Sequence, residues 1–335
     1  MRQVMDGGSA VALRAWVRVG RVLTVMALAM ALAVPVALLG APGVRAGAAV
    51  SPRLQQVGYR LLGGDGGIFA FGAPFAGSAA SDPARCPAVT TDRDLPDGTC
   101  WSMATTPSDQ GYWILNGYTG AVTAYGDAVS YGDRTASNVA GTEFWPDSIA
   151  LVPTPSGHGY WMLNVGLSGL GSVLAFGDAV SYGDETTPAP PAAHAGTPVG
   201  MVSTPSGHGY WIVDSDGGVF AYGDAAFAGS MGGRPLAADV VGMARTTSGN
   251  GYWLAAADGG VFAFGDAVFG GSMAGTDLAG PVTGIVAEPF GSGYWLAGAD
   301  GGVFALGGAP FEGSMAGQAL ARPVFAISAP SSAEA

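Results

Sequence analysis

The phrase GYWLAAADGGVFAFGDAVFGGS at residues 251–272 returns almost unchanged as GYWLAGADGGVFALGGAPFEGS at 293–314 and precedes itself as GYWIVDSDGGVFAYGDAAFAGS at 209–230. Looser copies begin at Gly58 (GYRLLGGDGGIFAFGAPFAGS), Gly111 (GYWILNGYTGAVTAYGDAVSYGD) and Gly159 (GYWMLNVGLSGLGSVLAFGDAVSYGD). The six copies thus start at 58, 111, 159, 209, 251 and 293, separated by 53, 48, 50, 42 and 42 residues. A unit of this length cannot bury its apolar faces alone, so successive units must pack on one another.

Within a copy the residues alternate with a period of two. Tyr252, Leu254 and Ala256 oppose Trp253 and Ala255, as in a strand covered on both faces. Asp258-Gly259 then supplies the positive φ that a tight hairpin needs. Residues 260–264 form a second strand, Gly265-Asp266-Ala267 a turn, and residues 268–272 a short further strand. Another strand precedes each Gly-Tyr-Trp. One repeat is therefore expected to be a four-stranded antiparallel sheet, and six of them a six-bladed β-propeller. The first copy lacks a preceding strand, since residues 51–57 read SPRLQQV, while residues 323–330 supply a surplus one after the sixth. Closure of the ring by the C-terminal strand removes both anomalies and leaves no open sheet edge.

Of 335 residues 57 are Gly and none is Lys, and few are charged, which fits an all-β repeat chain rather than a disordered one. Arg14, Arg18 and Arg21 precede a 19-residue apolar run at 22–40, and Ala46-Gly47-Ala48 offers a cleavage site before Ala49. Residues 1–48 are read as a signal peptide, with an uncleaved membrane anchor as the alternative, and 49–335 as one domain. Removing the five Arg and one Asp of residues 1–48 takes the net charge from −12 to near −16. That acidity argues against nucleic acid and anionic membrane surfaces as partners, and it also simply keeps an exported monomer soluble. Cys86 and Cys100, the only cysteines, are expected to form a disulfide in an oxidising compartment.

The connections between copies are uneven. Long ones occupy residues 79–99, 134–147 and 185–197, and the third copy enlarges its hairpin at 164–172. In four-stranded blades these segments gather on one face above the first three copies, where rigid rings commonly carry function. Asp92, Arg93, Asp94, Arg134, Glu143, Trp145, Glu185 and His194 are the candidate ligand contacts there, against the plainer reading of drift in surface loops. Catalytic signals are thin: no nucleophile elbow, P-loop, HExxH or CxxC occurs. His158 and His208 share a turn position with Gln110, Asn250 and Ser292, which marks a polar turn rather than a ligand. Asp65, Asp216, Asp258 and Asp300 read as turn residues rather than a cation ring, and so do Asp127, Asp178, Asp224 and Asp266. Trp113, Trp161, Trp211, Trp253 and Trp295 read as packing between repeats rather than sugar platforms. No metal and no cofactor are expected.

The phrase G-Y-W-x(6)-G-G-V-F-A-x-G-D-A-x-F-x-G-S, as it stands at 209–230 and 251–272, resembles tandem repeats of secreted proteins from high-GC Gram-positive bacteria. In that family similar units occur alone or beside cell-wall-acting or peptidase domains. The D-G-G-V-F-x-F-G-D core is also similar to that of the regulator of chromosome condensation propellers. The resemblance implies a propeller and no substrate. The expected function is an exported or cell-surface binding or scaffolding module for a glycan or protein. The alternative is an extracellular hydrolase or lyase using carboxylates of the elaborated face.

Overall fold

The computed structural model describes residues 58–80, 101–135, 147–166, 168–186, 196–291 and 293–330. Contacts divide the chain at Ser51/Pro52; the first unit, and with it the segment expected to be a signal peptide, lies outside the described residues. So do Cys86 and Cys100.

Among the described residues the fold is all-β, without a helix. The strands are β1 (Tyr59–Gly63), β2 (Ile68–Phe71), β3 (Trp101–Thr105), β4 (Tyr112–Asn116), β5 (Val122–Tyr125), β6 (Asp147–Pro153), β7 (Gly159–Val165), β8 (Gly171–Gly177) and β9 (Pro198–Ser203). They continue as β10 (Gly209–Asp214), β11 (Val219–Gly223), β12 (Val240–Arg245), β13 (Gly251–Ala256), β14 (Val261–Gly265), β15 (Val282–Ala287), β16 (Tyr294–Gly298), β17 (Val303–Leu306) and β18 (Val324–Ser328). They pair as six antiparallel three-stranded sheets, each with a Gly-Tyr-Trp or Gly-Tyr-Arg strand in its middle. In the first sheet β1 lies between β2 and β18, with Leu61 opposite Ile327.

The middle strands are buried on both faces, which explains why their apolar residues run unbroken. Gly251 must be Gly because a Cβ there would come within 2.5 Å of the Phe264 carbonyl. Gly259, at φ +81°, supplies the turn expected of Asp-Gly.

Three strands stand in each sheet where the sequence predicts four. The segment after the third strand forms no ladder, and several of its backbone groups go to side chains instead. Trp253 Nε1 donates to the Val268 carbonyl of its own repeat at 2.8 Å. Tyr252 O–H donates to the Gly229 carbonyl of the preceding repeat at 2.6 Å and accepts from Ala228 N–H. The same lacing recurs at Trp211 and Trp295, and at Tyr210 and Tyr294. Side-chain donors thereby satisfy polar groups that a fourth strand would have paired.

The Trp side chains lie between repeats, as their placement in the sequence implies. Trp113, Trp161, Trp211 and Trp253 pack on Tyr160, Tyr210, Tyr252 and Tyr294 of the following repeats, ring centroids 5.3 to 5.8 Å apart. Trp295 packs on Tyr59 of the first repeat at 5.2 Å. Only the first copy has Arg in the Trp position, and Arg60 sits over Tyr112 at 5.2 Å, a cation–π contact in place of the indole. The first strands of all six sheets line a cavity of about 250 Å³.

Candidate functional site

One hydrogen bond recurs where the chain leaves each of the six repeats. At each exit a backbone N–H donates to the carbonyl of a glycine in, or just after, that repeat's second hairpin. The donors are Ala79, Arg134, Glu185, Met231, Met273 and Met315, at 2.8 to 3.0 Å. Met231, Met273 and Met315 pack into the hydrophobic clusters between repeats. Arg134 and Glu185 therefore stand where the plain repeats put Met. Both leave through the same Asp-x-Thr turn: Asp133 Oδ1 accepts from Thr135 N–H and O–H, and Asp184 Oδ1 from Thr186 N–H and O–H.

What each faces is a polar residue at or next to the end of the following middle strand, Asn164 in β7 and Asp214 in β10. Arg134 Nη1 donates to Asn164 Oδ1 at 3.2 Å, and Ser148 O–H donates to the same oxygen at 2.6 Å. Asn164 is 1% exposed and donates its amide to the Met162 and Ser172 carbonyls. Glu185 is also 1% exposed; its Oε2 accepts from Gly171 N–H at 2.7 Å, while Oε1 receives no hydrogen bond. Burial is the chief cause that pushes the Glu185 pKa up to about 8. The Gly171 N–H pulls it down, and the Asp214 and Asp184 carboxylates raise it again. Asp214 is buried as well. The pair is two acids brought together out of water, and Glu185 holds a proton near neutral pH. Tyr222 feels the same group: burial first, then Glu185 and Asp184, raise its pKa.

Sequence reading missed Asn164 and Asp214. The signal was available: that position is Gly63, Ala256 and Gly298 in other repeats, so a buried polar residue there marks an altered seam. Of the eight candidate contacts, the structure describes Arg134, half-buried, and Glu185, buried at the root of its loop. Asp92, Arg93, Asp94, Glu143, Trp145 and His194 lie outside the described residues. The enlarged turn extends the β7–β8 hairpin and closes through Gly169 N–H to the Gly166 carbonyl.

The Asp residues of the repeat are turn residues by geometry. Asp258 Oδ1 accepts from Gly260 N–H two residues on, as Asp65, Asp216 and Asp300 do in their turns. Asp266 takes Thr246 O–H on one oxygen and Ser248 O–H on the other, tying two turns of one sheet together. Asp127, Asp178 and Asp224 repeat the arrangement. His158 and His208 are exposed in those turns.

No family model matches the chain, and no curated protein matches it in sequence. The fold, by contrast, is widely shared, with 670 similar chains among solved structures. One belongs to the crystal structure of a nidogen/laminin complex, at TM-score 0.52 and 9% identity. The match covers 82% of this chain and 98% of that one. The fold is a six-bladed β-propeller. At that identity the likeness bears on the fold alone, each blade being one of the three-stranded sheets above. No helix among the described residues is long and apolar enough to cross a membrane.

Proposed function

We propose that this chain is an exported propeller that acts as a binding or scaffolding module, its ligand a protein or glycan met outside the cell. In this reading residues 1–48 direct export, residues 49–335 form one ring closed by the C-terminal strand, and Cys86 pairs with Cys100. The observation that carries it is the unequal elaboration of an otherwise regular frame. Long connections and polar seams fall together on adjacent blades, while blades four to six keep minimal turns and Met seams. Ring closure is supported by the β1–β18 pairing and by Trp295 against Tyr59. A protein ligand draws support from a neighbour of this fold that was solved in a protein complex. The ligand contacts are assigned to Arg134 and the loops carrying Asp92, Arg93, Asp94, Glu143, Trp145 and His194, with Glu185 anchoring the root of its loop.

The test is a screen of the chain against glycans, peptidoglycan fragments and envelope proteins, with hydrolysis followed in the same wells. A specific ligand should lose affinity about ten-fold or more on Trp145→Ala with melting nearly unchanged, and on Arg134→Ala, which also removes the bond to Asn164 and lowers melting modestly. A ligand indifferent to both changes places the binding face elsewhere, and turnover in the wells would favour the hydrolase.

A further inference from the structure

On the side of the first hairpins, the mouth of the central cavity departs from the repeat at two adjacent blades. Opposite the Tyr of each Gly-Tyr-Trp phrase, four blades place Thr105, Pro153, Ser203 and Ala287; the fifth blade places Arg245. At the next position Thr106, Thr154, Thr204 and Thr246 each turn a hydroxyl into their own hairpin. The sixth blade has Glu288 there instead.

Arg245 and Glu288 line one pocket of about 130 Å³. Met243, Ile285 and Val286 belong both to this pocket and to the central cavity, so the charged mouth opens past apolar side chains onto that cavity. No ion pair joins the two charges. Arg245 Nη1 donates to the Thr246 and Thr247 carbonyls at 3.1 and 3.4 Å, and Glu288 Oε1 accepts from Phe290 N–H at 3.1 Å. Burial lowers the Arg245 pKa below the ordinary guanidinium value. Among the described residues neither the half-buried Arg245 nor the half-buried Glu288 is paired with an opposite charge, and both face the same small space.

We propose that this mouth binds a free α-amino acid with an apolar side chain: carboxylate on Arg245, ammonium on Glu288, side chain in the apolar cavity. A simple carboxylate would leave Glu288 facing a second anion, and a simple amine would leave Arg245 facing a second cation. A zwitterion answers both, and the lining selects an apolar side chain. The site lies at the opposite end of the blades from the turns where Arg134 and Glu185 leave their repeats, and it does not depend on the ligand proposed above.

The experiment is calorimetric titration of the full chain with L-leucine, beside isocaproate, which lacks the ammonium, and isoamylamine, which lacks the carboxylate. Leucine should bind saturably and the two comparators at least about ten-fold more weakly. Arg245→Gln and Glu288→Gln should each weaken leucine by about ten-fold or more, and Glu288→Gln should bring isocaproate level with leucine. Circular dichroism checks that both variants remain folded. Absence of saturable leucine binding in the millimolar range overturns the proposal. So does leucine affinity unchanged in both variants, or isocaproate binding as tightly as leucine to the natural chain.

Discussion

Glu185 ties one side chain to the pH dependence of the whole fold. In the unfolded chain its carboxyl ionises at the ordinary 4.5, and in the fold at about 8. Between those values the folded state holds the extra proton. The contribution to stability is therefore complete below 4.5 and is lost as pH rises through 8. The natural chain should melt lower at about pH 9 than at about pH 5, and Glu185→Gln, which mimics the protonated acid, should flatten that difference by about 2–6 °C. An unchanged pH slope in the variant would mean that Glu185 does not hold the extra proton in the folded state. Arg60 gives a second case. It is fully buried in the Trp position, its Nη1 meets Asp109 Oδ1 at 2.6 Å, and Asp109 holds φ 60° where the next three blades have Gly157, Gly207 and Gly249. Asp109→Gly relieves that backbone but strands the buried guanidinium, so it should destabilise by about 3–5 kcal/mol. The double change Arg60→Trp, Asp109→Gly restores the repeat and should recover most of the loss in denaturant unfolding. The Gly-Tyr-Arg variant was plain in the sequence. Its partner was not, because the pairing spans 49 residues and follows from the packing of two blades.

The elements show where pattern reading succeeds and where it stops. Alternation and Asp-Gly turns placed the three strands of each blade, since those strands satisfy their own backbone by ladder bonds. The segment at 268–272 has the same local look, yet its partners are a Trp and a Tyr from two different repeats. No local pattern can distinguish that lacing from an edge strand, because the deciding donors are remote side chains. The same limit hid the seams: Arg134 was visible as a charged loop residue, but its Asn164 partner belongs to the next blade. Tyr252→Phe tests the lacing. Losing the bonds to Ala228 N–H and the Gly229 carbonyl should cost about 1–2 kcal/mol and speed hydrogen exchange chiefly at 226–230. Exchange protection there that ignores the substitution would point to a ladder strand after all.

At the scale of the molecule, each blade is stabilised by its neighbours, so the first blade depends on the last residues of the chain. β18 is the sole partner on one side of β1, with Val324 fully buried and Ile327 nearly so. It also supplies Ser328, whose hydroxyl accepts from Thr105 N–H of the second blade at 3.1 Å, and it completes the wall of the central cavity. Deleting residues 323–335 removes all of this at once. Burial of two aliphatic side chains alone is worth about 3–6 kcal/mol, and an exposed β1 edge and an opened cavity add to the loss. The truncated chain should melt about 8 °C or more below the natural one. A synthetic peptide of residues 323–335 supplied in trans should restore part of the difference, because the β1 edge it must pair with is already shaped by β2 and by Trp295 against Tyr59. If the truncated chain melts like the natural one, or the peptide has no effect on a destabilised truncation, then β18 does not hold the ring.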